Sequence, residues 1–382
     1  MSHHRSRSRR LCAVATIAAT LMLGACGSTT PTADRAGDDF VLAGVSGLTQ
    51  VAQLTGPGAI NDTEKVGVAG TDLGSMVNVG DRTYFFFGDT FGERGPDSYG
   101  GQGGAWRSNV SAWTTDDDPS DGITFGGWAP VDEFDWAAPL IEGDHDANDG
   151  GGEVTKIPTY GFAVGDAMYV GYMSVNHWGD PGVWEANHAG MVVSRDGGAS
   201  WTDLPDVRWP GDSNFVQLAT AHVMDAGAEY VYLWGIPAGR FGGVELMRVP
   251  ASTTAVEDIA AYTYFAGTDE TGTPQWSADP DAAETIVDPT VGELSVMWSE
   301  YLQRWVMTYS DAGSAYIREG LAPWGPWGEP IEMVSADDYP GLYSPYLNPR
   351  YTDDGGRRLY FTLSLWGPYN VFWFSVDLDK AD

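Results

Sequence analysis

Cysteine is nearly missing: Cys12 and Cys26 are the only two in 382 residues. One lies inside an N-terminal apolar stretch and the other just behind it, so no disulfide framework is available and the fold must rest on its core. Basic residues are also scarce. Twenty Lys and Arg stand against 53 Asp and Glu, a formal net charge of −33. A surface of that sign repels phosphate backbones and anionic lipid, which argues against nucleic acid as a partner. After residue 23 no apolar run approaches the roughly 18 residues of a membrane span, and no convincing helical period exceeds about ten residues.

The N-terminus carries His3, His4, Arg5, Arg7, Arg9 and Arg10 ahead of an apolar run from Leu11 to Leu23. These are the charged and greasy regions of a secretory signal. Leu23-Gly24-Ala25-Cys26 resembles a bacterial lipobox, in which Cys26 becomes the lipidated first residue of the mature protein. The expected organisation is a signal peptide over 1–25, a flexible tether over 26–39 rich in Ser, Thr, Pro, Ala, Gly and Asp, and a single domain over 40–382. The expected location is extracellular, with the lipid as the only membrane attachment.

What is abundant points to strands. Short β-branched and aromatic runs are closed by Gly, Asp, Asn and Pro at regular intervals. Val79-Gly80-Asp81-Arg82-Thr83-Tyr84 aligns without gaps to Val164-Gly165-Asp166-Ala167-Met168-Tyr169, each a hairpin with Gly first in the turn,. Further hairpins are expected at Asp225 to Ala228, Glu300 to Gln303 and Asp353 to Gly356. Five hairpins, each followed by outer-strand segments, predict an all-β fold, a five-bladed β-propeller, with Phe40 to Leu54 completing the last blade. A β-sandwich or β-helix fits the alternation less well. Ser194 to Trp201 resembles the Asp-box, a structural turn of many propellers.

If Val79 pairs with Arg82 and the ladder continues in register, Asp72 falls opposite Asp89, with Cβ atoms about 5 Å apart on one face. Like charges placed opposite each other destabilise a sheet, and the other hairpins do not repeat the pair. The second has Ile157 and Ser174 at those places; the fourth has Glu293 with Ser310 opposite. Acidic residues thus gather at one rim of particular blades, where Asp72, Asp89, Glu293 and Glu153 can converge at the mouth of a central funnel. Two carboxylates whose environments separate their pKa values are the equipment of glycoside hydrolysis. Local capping is the competing role for Asp72 and Asp89, and ion pairing or solvation for Glu153 and Glu293. His222 falls on the same face as Asp72, deeper in the third hairpin, as a candidate funnel ligand, although a lone His is more often a hydrogen-bonded core residue. Asp144 to Asp149 opens like a calcium loop but has Asp149 where Gly is required and Thr155 where Glu is required, so no metal site is read there,. No cofactor motif is found.

Gly67-Val68-Ala69-Gly70-Thr71-Asp72-Leu73-Gly74, Phe87-Gly88-Asp89-Thr90-Phe91, Asn176-His177-Trp178-Gly179, Gly325-Pro326-Trp327 and Leu363 to Val371 together resemble glycoside hydrolase family 183, formerly a domain of unknown function. The likeness runs from about Val66 to Leu378. It implies endo-D-arabinanase activity on the α-linked D-arabinofuranose chains of mycobacterial arabinogalactan and lipoarabinomannan, with the acidic pair on Asp72 and Asp89. Glu153 and Glu293 are candidates for a third acidic role or for tuning the pair. Trp106, His177, Trp178, Trp184, Tyr343 and Trp366 are candidate sugar contacts, and the aromatic ones suit core packing equally. The rival reading is a non-catalytic glycan-binding propeller at the cell surface.

Overall fold

The computed structural model describes Met1 and residues 30–381. The signal segment and Cys26 lie outside the described residues. Strands dominate, and they form five antiparallel blades. The first runs outward through Leu73–Val79, Arg82–Phe87, Val110–Thr114 and Gly127–Trp128, with an added hairpin of Thr90–Glu93 and Gly104–Arg107. Thr155–Val164, Gln217–Asp225, Leu294–Ser299 and Leu342–Asp353 are the innermost strands of the other four. Each inner strand touches the inner strand of the next blade, and Leu342–Asp353 returns to Leu73–Val79, so the ring is closed.

Why these segments make blades follows from their turns and their alternation. Gly80 and Gly165, at φ 60° and 58°, take the left-handed first position of two-residue turns, as expected from Gly-Asp,. Ala226-Gly227 makes an equally tight turn, because both residues adopt positive φ. The middle strands are buried on both faces: Phe85, Phe86 and Phe87 are all fully buried, facing different neighbours. The core is accordingly split into five clusters between blades, the largest of which joins the first and fifth and reaches inner residues of the second and third. Each buried aromatic or aliphatic side chain there contributes on the order of 2 kcal/mol. The Asp-box turn is structural as expected: Asp196 accepts from Ser200 and Ser194, and Trp201 sits edge-on to Phe86.

Leu42–Gln53 pairs with Asn370–Lys380 and completes the fifth blade from the other end of the chain. Its entry is pinned by Glu319, 2% exposed, which accepts from the backbone N–H of Val41 and Leu42 and lies 3.1 Å from Arg304. The chain is held further back still. Pro31 and Ala33 bond to both sides of Met224, Ala36 bonds to Leu321, and Ala33 is buried. A small side chain and free backbone groups let this stretch dock, so the tether expected over 26–39 does not extend through its second half. Replacing Glu319 by Ala leaves two backbone donors without their acceptor and a largely buried guanidinium without its counter-charge. The expected cost is about 3 kcal/mol, read as a lower urea midpoint.

Candidate active site

The funnel between the blades encloses about 290 Å³ and is lined by residues of all five. Asp72 and Asp89 both open onto it, as do Glu293, Trp178, Trp184, Tyr343 and Trp366. The pair arises differently from the ladder expected for it. Register holds from Val79–Arg82 to Ser75–Phe86, then slips by one residue, so that Leu73 faces Phe87. Leu73 and Gly74 both have positive φ and form a bulge,. Asp72 consequently meets Gly88, whose N–H donates to the Asp72 carbonyl at 3.2 Å, rather than Asp89. The Asp72 carboxylate lies so close over Gly88 that a Cβ there would collide with Oδ1. The second hairpin slips in the same way, and Ser174 faces Lys156 instead of Ile157.

The two carboxylates have unlike surroundings. Tyr343 donates to Asp72 Oδ2 at 2.8 Å, while Oδ1 is buried without a partner among the described residues. Asp89 Oδ1 accepts from Thr155 Oγ1 at 2.6 Å and from Trp106 Nε1 at 2.7 Å. Burial pushes both groups up to about 7 from an ordinary 3.8. For Asp72 the hydroxyls of Tyr343 and Tyr369 and the charge of Arg240 oppose that shift and Glu293 adds to it; for Asp89 the bonds from Thr155 and Trp106 oppose it and Asp72 adds to it. Each keeps a strip of surface open to the funnel while packed protein excludes most water. Near neutral pH the pair therefore holds a proton that isolated carboxylates would have lost, and the apparent values belong to the pair.

Glu293 joins the site but is tied up: Arg240 bonds both of its oxygens at 2.7 to 3.0 Å. Burial works against the Arg240 charge, yet Glu293 outweighs it and keeps the guanidinium protonated. Arg240 also lies 4.8 Å from the Tyr343 ring centre and 5.5 Å from that of Trp184. Glu153 does not line the funnel. It accepts from Ser174 at 2.6 Å and from Lys156 at 2.6 Å, because the slipped register brings both beside it.

Among the aromatic candidates, Trp366 is 45% exposed and Trp178 partly so, which leaves ring surface for a ligand. Trp184 and Tyr343 are 7% and 3% exposed and serve mainly as wall. Trp106 is not a funnel surface: its ring lies against His145, centroids 3.8 Å apart, and its N–H is spent on Asp89. His177 is also outside the lining. His222 pairs with Glu229 at 2.9 Å on the outside of its hairpin. Arg240, Tyr369, Tyr346 and Thr155 were not singled out from the sequence. Tyr369 lies within the Leu363 to Val371 run, but nothing local marks Arg240 or Thr155, whose partners are distant in the chain. Among the described residues no cluster of side chains fit for a metal ion is found.

The raised value of Asp72 has a signed consequence for stability. Below about 4 both folded and unfolded chains are protonated there; between 4 and 7 only the unfolded chain ionises, so stability falls as pH rises,. Asp72→Asn removes that loss. Its Tm should exceed the parent's at pH 8 and match it near pH 4, each kcal/mol of relief being worth roughly 2 °C in a domain of this size. A gain at low pH only would contradict it.

A candidate hydrolase from Bacteroides ovatus has a TM-score of 0.55 at 13% identity, over 81% of this chain and 86% of that one. A family 117 glycoside hydrolase of Zobellia galactanivorans gives 0.47 at 11% identity, over 89% and 91%. An exo-1,5-α-L-arabinanase from a bovine ruminal metagenomic library gives 0.41 at 12% identity, over 82% and 94%. The first of these likenesses establishes a shared fold. No curated protein matches the chain. Residues 58–375 match the family described as Domain of unknown function (DUF4185), a span that takes in every blade and both funnel aspartates, and the chain belongs to that family.

Proposed function

We propose that this protein is a glycoside hydrolase of the cell exterior, held by a lipid on Cys26, that cuts α-D-arabinofuranosidic linkages within D-arabinan chains of the arabinogalactan and lipoarabinomannan type. The observation that carries the reading is the funnel pair: two carboxyls raised to about 7 with different donor sets. The two values are not separated as expected, since burial dominates both; the donor sets differ instead, and glycosidic cleavage requires one carboxyl that gives a proton and one that acts as an anion. Asp89, with two donors on one oxygen, is the member held as an anion. Asp72, whose Oδ1 is buried without a hydrogen-bond partner among the described residues, is the member that keeps the proton. Asp72 protonates the glycosidic oxygen as its bond to the anomeric carbon breaks. Asp89 Oδ2 meets that carbon directly or through a water whose proton it takes. Glu293, neutralised by Arg240, adjusts Asp72 without entering the bond changes.

The D-arabinan specificity rests on the resemblance to glycoside hydrolase family 183, whose characteristic runs supply Asp72, Asp89, Trp178, Trp366 and Tyr369 to one funnel. An internal cut is supported by apolar surface on two sides of the mouth. Tyr99, 67% exposed, lies beside Gly367 next to Trp366, and Phe241, 58% exposed, follows Arg240 and touches Gly182. A neutral polymer lying across both sides passes over the carboxylates and suits an acidic protein. Incubation with purified mycobacterial arabinogalactan should release oligosaccharides, with kcat/KM falling on both sides of neutral pH. Asp72→Asn and Asp89→Asn should each lose about 10³-fold in kcat while remaining folded by circular dichroism. Retention on the polymer without cleavage would leave a binding protein instead.

A further inference from the structure

The loop that leads into the second blade does something the carboxylate pair alone does not explain. Asp89 Oδ1 takes two donors, and one of them, the Trp106 indole N–H, can only donate,. A proton on Oδ1 would face that N–H head on, so Trp106 disfavours it. With Oδ1 occupied, the rotation of the carboxyl is set and Oδ2 is left as the reacting oxygen. The indole is itself held. His145 lies flat on it, the rings 3.8 Å apart and 8° from parallel, and Phe91 stacks beside it at 6.2 Å. His145 Nε2 is bonded at 2.9 Å to Ser108 Oγ, two residues beyond Trp106.

His145 is placed by its loop at some conformational cost, with φ at 56° in the left-handed region,. Asp146 and Glu153 close the loop on each other, Asp146 N–H to the Glu153 carbonyl at 2.9 Å and Glu153 N–H to Asp146 Oδ2 at 3.1 Å. Glu153 Oε1 holds the N–H of Asp144 at 3.2 Å and Lys156 at 2.6 Å. Gly143 lies so close to Ser108 Oγ that any side chain there would push the loop away.

We propose that His145 is a positioning residue, acting through the Trp106 indole to hold Asp89 as a correctly turned anion, and that Glu153 serves by fixing the loop that carries it. The assignment rests on the hydrolase reading above for what Asp89 does, but the coupling of His145 to Asp89 stands on geometry alone. Asp72 is the charged group that faces Asp89; Glu142, Asp144, Glu153 and Lys156 face His145.

The test titrates Asp89 directly, by the carboxyl carbon shift of Asp-labelled full-length protein, without substrate. Trp106→Phe removes the donor and keeps a ring, so Asp89 should titrate at higher pH. His145→Ala should shift it in the same direction by less, and His145→Phe, which restores the stack, should return it toward the parent. On arabinan, His145→Ala should lower kcat roughly tenfold with KM little changed and move the acid limb of the pH profile upward. An unshifted Asp89 titration in His145→Ala overturns the proposal, whether or not Trp106→Phe shifts it. If the titrations shift but no glycan is cleaved by any form, the positioning holds and the hydrolase reading fails.

Discussion

Closure of the ring is the constraint on which the site depends. Leu42–Gln53 pairs with Asn370–Lys380 to complete the last blade, whose inner strand lies against that of the first. Across the seam Leu73 N–H donates to Ser364, Thr71 N–H to the Tyr369 carbonyl, and Tyr343 to Asp72. The surroundings of Asp72 are therefore built by residues some 270 positions apart in sequence. A propeller that fails to close keeps every hairpin but loses the surroundings that lift Asp72.

Burial of two like charges is expensive, and the rest of the funnel is arranged around that cost. Both donors on Asp89 go to one oxygen, whereas Asp72 Oδ1 has none among the described residues, so chemically identical groups sit in unlike surroundings. The third carboxylate, Glu293, is matched by Arg240, so the funnel does not accumulate three unpaired charges. Apolar walls do the remaining work by excluding water, and in that environment a proton near neutral pH is a usable reagent.

Trp106 and Glu153 show how far a side chain's type can mislead about its use. A tryptophan near a candidate sugar site reads as a platform, and an acid just before an inner strand reads as a third catalytic group. Here the first spends its N–H on Asp89 and the second fastens a loop. Both are support, and both act at one remove from the funnel.

The sequence by itself determined the five blades, the closing role of the N-terminal strand and the identity of the two aspartates. Turn chemistry and strand alternation are local properties, written within a dozen residues at a time. It misplaced the opposition of Asp72 and Asp89, because a bulge at Leu73–Gly74 is a response to contacts across the seam with Thr362, Ser364 and Val371 rather than to its own neighbours. Arg240, Thr155, Tyr369 and the His145 stack were decided only in the tertiary structure. Each acquires its meaning from a partner on another blade or loop, and long-range juxtaposition leaves no period in the chain from which it can be read.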